Sequence, residues 1–365
     1  MARVVTDVIG VQVAQGMRAV VACPPGTPLA AAVRERGGEP LPWPACREPG
    51  RNVVPESRRV AGLVALVRPD LVHAHSAKAG LAARLAVRGR VPTVYQPHAW
   101  SFEAVDGATA ALALRWERWA ARWTHRVVCV SEAERRRGES AGVRAPWSVI
   151  HNGVDVARFG VTTDRAATRA TLHPQLGPSA PVVVCVGRLC RQKGQDLLLD
   201  AWPSVVARIP EARLVLVGDG PSAAGLRAAA PASVLFAGAV DDAAPWYRAA
   251  DLVVLPSRWE GMALAPLEAM ASGRPVLVTD VDGARESLPP GHAAHCLVPP
   301  GDPAALTAAL TRLLQRPILR QVLGRQAHQH VLSRFDVRRA GAALADVYRE
   351  VAAPRYRELR EPIPQ

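Results

Sequence analysis

Short apolar runs rich in β-branched residues recur along the chain and alternate with alanine- and leucine-rich stretches. In the first half these runs are RAVVAC (18–23), DLVHAHS (70–76), TVYQPHA (93–99), RVVCVS (126–131) and SVIHNGV (148–154). In the second half they are VVVCVGR (182–188), RLVLVGDG (213–220), VLFAGAV (234–240), DLVVLPS (251–257) and PVLVTDV (275–281). Nearly continuous apolar runs separated by helical stretches predict parallel strands buried on both faces. One such series in each half predicts an α/β protein of two doubly wound, Rossmann-like domains.

The stretch TTDRAATRATLHPQLGPSAP (162–181) has no clear period and ends in Gly, Pro and Ser, so the link between domains is expected there. The expected division is a first domain over 1–160 and a second over 161–338. A last helix within 339–365 is expected to pack back on the first domain and end in a tail. Residues 2–15 read as a helix and MRAVVAC as a second strand. The usual opening strand and glycine-rich turn are therefore expected to be missing.

Length agrees with two domains, since 365 residues is about twice the roughly 150 of one domain. No apolar run approaches the ~20 residues that span a bilayer, and the N-terminus does not read as a signal peptide. The cysteines at 23, 46, 129, 185, 190 and 296 form no Cys-x-x-Cys pair, and several sit inside apolar runs as small hydrophobes. A cytoplasmic setting is expected, with the inner face of the membrane as its nearest variant.

The net charge of +13 points to an anionic partner such as a phosphorylated ligand, a membrane surface or nucleic acid, or else reflects the arginine-heavy composition alone. The charge is spread out, in runs no longer than ERRRG (134–138), without a basic arm, zinc-finger spacing or aromatic RNA-binding signature. Nucleic acid is therefore not expected. The stretch LRWERWAARWTHR sets Trp116, Trp119 and Trp123 on one helical face beside Arg115, Arg118 and Arg122. The tryptophans are expected to pack on the sheet, with peripheral membrane association as the alternative.

In doubly wound sheets, ligands lie beyond the carboxyl ends of the strands. Two motifs fall there. The first is SRWEGMALAPLEAMASGRPVLVTDVDG (257–283). Pro266 suits a first helical turn, which places Glu268 in that turn and Glu260 in the loop before it. The amides of Gly261, Met262, Ala263 and Leu264 can then face an anion. The two glutamates, acceptor-only groups, suit vicinal diols of sugars. The second motif is VCVGRLCRQKG (184–194), which puts Arg188 and Lys193 at one strand end, where two cations would stabilise a diphosphate. Of 45 basic residues only Lys78 and Lys193 are lysine, which makes Lys193 conspicuous. The triplet Asp280-Val281-Asp282 reads as a turn lining the same site rather than as a metal site.

GRLCRQKG followed by SRWEGMALAPLEAMASG resembles the family 4 glycosyltransferases. VIHNGVDVARF (149–159), VGDGP (217–221) and WYRAADLVVLPS (246–257) extend the likeness over nearly the whole chain. The resemblance implies the GT-B fold, two Rossmann-like domains facing across a cleft. It also implies retaining transfer of a sugar from a nucleotide sugar, such as a UDP- or GDP-sugar, without a cofactor or catalytic metal. By that implication Arg188 and Lys193 contact the donor diphosphate, Glu268 holds the ribose, and Glu260 faces the transferred sugar with the amides of 261–264 alongside. His98, at the end of the strand TVYQPHA, resembles the family's histidine near the reaction centre. His98, Arg188, Lys193 and Glu260 are thus the expected catalytic set. Ser76 and Lys78, at another strand-to-helix turn, join His98 on the expected acceptor side. His73 and His75 are expected to be packing residues. The alternatives are a sugar-nucleotide-binding protein without turnover and an epimerase or hydrolase on the same fold.

Overall fold

The computed structural model describes residues 1–46, 52–161 and 164–358. The chain forms two compact units. One comprises Met1–Gly153 and the segment from Val337 onward; the other is Val154–Asp336. The second unit begins earlier than residue 161 because Val154 is tied into it. Its amide donates to the Phe335 carbonyl at 2.8 Å, and it forms an isolated parallel bridge with Asp336.

In the first unit, strands β1 (Val20–Cys23) and β2 (Glu39–Pro42) pair in parallel as a two-stranded sheet. Strands β3 (Val72–His75), β4 (Thr93–Gln96), β5 (Arg126–Cys129) and β6 (Trp147–Val149) form a parallel sheet in that spatial order. The expected strand series is therefore divided between two sheets. β2, with sequence EPLP, lacks β-branched residues and was invisible to the pattern. It pairs only with β1, and an edge strand tolerates proline.

The helix Val337–Glu358 belongs to this unit and packs against the opening helix Ala2–Ala14. Gln12 Nε2 donates to Tyr348 Oη at 3.0 Å. The core over the β3–β6 sheet is built on Trp43, Tyr95, Trp100 and Val127. Within it, Glu117 is buried against Arg84 at 2.8 Å and accepts hydrogen bonds from Tyr95 and Ser101. Glu117 and Ala120 are thus the inward positions of the helix Gly107–Ala120. Of the three tryptophans expected on the sheet, Trp119 faces outward, whereas Trp116 buries its indole nitrogen and its ring centre lies 5.6 Å from the buried Arg84 guanidinium. Trp119 is 42% exposed, and Trp116 and Trp123 are half-buried.

The second unit holds β7 (Val182–Val186), β8 (Arg213–Val217), β9 (Val234–Gly238), β10 (Leu252–Leu255), β11 (Val276–Thr279) and β12 (Leu297–Val298). All are parallel, in the order β12-β11-β10-β7-β8-β9. The chain builds outward from β7 to β9, then crosses back to place β10 on the other side of β7. The crevice between β7 and β10 is therefore the topological switch point, where doubly wound sheets place ligands.

The expected linker is part of this unit. Residues 162 and 163 lie outside the described residues. Beyond them the helix Arg165–Leu172 packs against the helix Ala244–Ala249. Its Arg169 is buried, donating to Asp251 Oδ2 at 2.6 Å and to the carbonyls of Gly177, Pro178, Ala180 and Ala249. A stretch without apolar period is held here by one arginine that satisfies the surrounding carbonyls.

Candidate functional site

The loop after β7 runs through Gly187 and Arg188 to a single 3-10 turn, Arg191–Lys193, and then to Gly194. Gly194 has φ +69°, and a Cβ there would lie 2.0 Å from the Pro256 carbonyl oxygen at the end of β10. Only glycine permits that approach. It brings the β7 and β10 loops into contact, and side chains then stitch them. Gln192 donates to the Trp259 carbonyl, the Arg258 amide donates to the Gln192 carbonyl, and the Arg258 guanidinium forks onto both Asp196 oxygens at 2.8 and 2.6 Å. Gly283, after β11, repeats the device. Its φ is +74°, and a Cβ would lie 2.1 Å from the Gly261 carbonyl.

These contacts set the charged groups. Lys193 Nζ donates to Glu260 Oε1 at 2.5 Å, and Ser257 Oγ donates to the same oxygen at 2.7 Å. Glu260 is buried, so the lysine offsets the cost of its charge. The Arg188 guanidinium, half-buried at the β7 end, makes no hydrogen bond or ion pair to another described residue. The crevice thus presents one committed cation, Lys193, while the Arg188 stem lies by Gly220 after β8, where a Cβ would stand 3.0 Å from its Cγ.

The helix after β10 starts at Leu264 with Ala263 as its N-cap, so Pro266 is its third residue and lies in the first turn. Glu268 consequently lies in the second turn, not the first. The loop Gly261–Ala263 leads directly into the helix N-terminus, where the first amides lack intrahelical partners. A recess there is lined by Ser257, Glu260, Ala263, Pro266 and Asp282, among others. Asp282 reaches this recess, whereas Asp280 pairs with Arg285. Glu268 is buried, and its Oε2 accepts from Tyr247 Oη at 2.7 Å. Sequence reasoning missed Tyr247. It stands in WYRAADLVVLPS, and its spacing from Glu268 gave no sign of contact.

In the first unit, His98 at the end of β4 has φ +57°, and Ala99 follows at +100°. Ser76, just beyond β3, has φ +74°. Strained non-glycine residues at two adjacent strand ends mark the kind of place where function is found. The strain at 98–99 is held by Glu134, which is fully buried and accepts from the Ala99 amide at 2.6 Å and the Val130 amide at 2.7 Å. Glu134 lies in the run ERRRG, where only the charge had stood out.

Three histidines meet at these strand ends. His75 Nδ1 lies 3.0 Å from His98 Nε2, and the His73 and His75 rings are 3.9 Å apart. His73 Nδ1 lies 2.6 Å from Tyr348 Oη on the last helix. His73 and His75 therefore do more than fill space. Burial holds the imidazoles neutral. His75 is lowered to about 4, first by desolvation and then by the α-amino group of Met1. His73 and His98 are lowered well below the ordinary range by desolvation and by the neighbouring histidines, with the α-amino group adding to the effect at His98. Lys78 turns inward instead. Its Nζ lies 2.6 Å from Glu56 Oε2, and both are buried. Ser76 stays at the turn, half-buried.

Both units are α/β with parallel strands, and the second is doubly wound, with the Lys193–Glu260 pair at its switch point. Comparison with known proteins narrows this. The family model described as Glycosyltransferase Family 4 matches residues 1–158, and that described as Glycosyl transferases group 1 matches residues 180–316. The D-inositol 3-phosphate glycosyltransferase of Streptomyces bingchenggensis is 35% identical over 319 residues, covering 80% of this chain and 68% of that protein. A GDP-mannose-dependent monoacylated phosphatidylinositol monomannoside mannosyltransferase of Corynebacterium glutamicum is 34% identical over 233 residues, 60% of each chain. The crystal structure of Anabaena HepE with UDP and glucose superposes with a TM-score of 0.80 at 23% identity, covering 93% of this chain and 94% of that one. The chain belongs to the family 4, group 1 glycosyltransferases. It has the GT-B fold and is a glycosyl-transferring enzyme.

Proposed function

We propose that the protein transfers a sugar from a nucleotide sugar to an acceptor hydroxyl, with retention and without a metal. The observation that carries the reading is the Lys193–Glu260 pair at the β7/β10 switch point. Arg188, Lys193 and the amides at the start of the helix Leu264–Ala271 meet the diphosphate, whose charge grows as it leaves. Glu260, anchored through one oxygen by Lys193 and Ser257, turns its other oxygen to sugar hydroxyls. Glu268, oriented by Tyr247, takes the ribose hydroxyls as acceptor of a vicinal diol.

The bond from the anomeric carbon to the diphosphate breaks, and a bond to the acceptor oxygen forms on the same face. The acceptor proton passes to the departing phosphate oxygen. Because Glu260 is already committed to two donors, it serves as an acceptor of hydroxyls rather than as a nucleophile. His98 and Ser76, on the strained turns of the first unit, contact the acceptor. HepE was crystallised with UDP and glucose, and the Corynebacterium mannosyltransferase is GDP-mannose-dependent. Both bases therefore belong in the first donor screen.

The test is calorimetric binding and turnover with UDP- and GDP-sugars, followed by assignment of the product anomer by NMR. An α-linked product from an α-linked donor, with turnover intact in EDTA, is expected. An inverted product, a freed or epimerised sugar, or loss of turnover on chelation contradicts the corresponding part. A chain that binds donor and transfers to no acceptor class refutes the catalytic reading and leaves the donor site standing.

A further inference from the structure

The helix Gly107–Ala120 and the turn Ala121–Trp123 show solvent an unusual face. Its first two turns expose Ala108, Ala111 and Leu112, with Leu112 at 68% exposure. Trp119 follows. Its ring is 4.3 Å from that of Trp123 and 5.5 Å from that of Trp116, so the three indoles form one cluster. Arg115, Arg118 and Arg122 are exposed beside it, and the Arg122 guanidinium sits 4.7 Å over the Trp119 ring. A Cβ on Gly89 would lie 3.7 Å from the Trp123 Cα, so the neighbouring exposed Arg88 and Arg90 extend the cationic rim. The acid within the helix, Glu117, is buried against Arg84, and Asp106 stands only at the helix start.

A solvated helix face ordinarily mixes both signs of charge. This one joins an apolar patch with indoles and a fringe of a single sign. Self-association through it would oppose like charges. Nucleic acid would match the arginines and leave Leu112 and the alanines without partners. An anionic lipid surface satisfies every part: phosphates for arginine, the headgroup level for indole, and acyl chains for Leu112 and alanine.

We propose that this face docks the protein peripherally on an anionic lipid bilayer. No described helix is long and apolar enough to cross a membrane, so the contact is interfacial. The proposal is independent of the donor site and concerns the first unit alone.

Co-sedimentation of the full chain with phosphatidylcholine vesicles, with and without phosphatidylglycerol, tests it. Pelleting with the anionic vesicles only is expected. Leu112→Ser combined with Trp119→Ser, and separately Arg115→Gln combined with Arg122→Gln, should each weaken it at least tenfold. Brominated lipid should quench wild-type emission, and the quenched fraction should fall in Trp119→Phe, although the chain carries 9 tryptophans. Donor binding should be unchanged in these variants. Absence of wild-type pelleting, equal pelleting in both double variants, or unquenched Trp119 overturns the proposal. So does a dimer in light scattering that Trp119→Ser dissociates, or a duplex gel shift that the arginine variant abolishes.

Discussion

Lys193 Nζ and Glu260 Oε1 stand 2.5 Å apart across two loops that the sequence separates by 67 residues. Each therefore depends on the other. Lys193→Ala should leave Glu260 buried with Ser257 as its remaining donor here, costing roughly 1–3 kcal/mol of stability. Donor affinity should fall as well. In a double-mutant cycle with Glu260→Gln the two effects should be non-additive by at least about 0.5 kcal/mol. Additive losses in thermal unfolding would show that the pair does not act as a unit.

Tyr247→Phe removes one hydroxyl and keeps the ring. Glu268 then loses the hydrogen bond that orients it, worth about 1 kcal/mol. Calorimetry should show donor affinity reduced about fivefold at that energy. Unchanged affinity would mean that Glu268 is positioned without Tyr247 or does not meet the donor.

Gly194→Ala places a methyl group where the Pro256 carbonyl stands and forces alanine to a positive φ. The β7 and β10 loops must separate. The expected result is a loss of more than about 1 kcal/mol in stability, together with loss of donor binding. A variant of wild-type stability and affinity would show that the loops need not touch.

The histidine cluster predicts a pH dependence with a definite sign. His75 titrates near 4 in the folded chain and near 6.5 when unfolded. Between those values the unfolded state binds more protons, so stability falls as pH falls from about 6.5 towards 4. Its contribution is fully present above that window. His73 and His98 shift in the same direction. Replacing His75 by Gln should flatten the dependence of unfolding free energy on pH across the window by close to one proton. His98→Ala should leave donor affinity unchanged and lower turnover; if turnover is unaffected, His98 has no part in transfer.

Much of this was legible in the chain because its signals are local. Apolar runs marked ten of the strands, and the 257–283 and 184–194 motifs brought Arg188, Lys193, Glu260 and Glu268 to the ends of β7 and β10. What escaped depends on contacts between distant positions. β2 carries two prolines and exists only through β1. Arg169 converts an aperiodic stretch into packed structure. Glu134 and Tyr247 act on residues 35 and 21 positions away, and neither distance follows a helix or strand period. The inward turn of Glu117, which leaves Trp119 outside, depends on Arg84, 33 residues earlier.

The split composition of the first unit dictates an order of assembly. A ribosome delivers residues 154–336 in full before any residue of the helix Val337–Glu358 appears. The contiguous second unit can complete itself while still tethered. The first must wait with the Ala2–Ala14 helix lacking its partner and His73 lacking Tyr348. The portion synthesised first is thus the last to finish, a reversal of the usual amino-to-carboxyl sequence of domain folding. A nascent chain stalled before residue 337 would display that unfinished surface to chaperones.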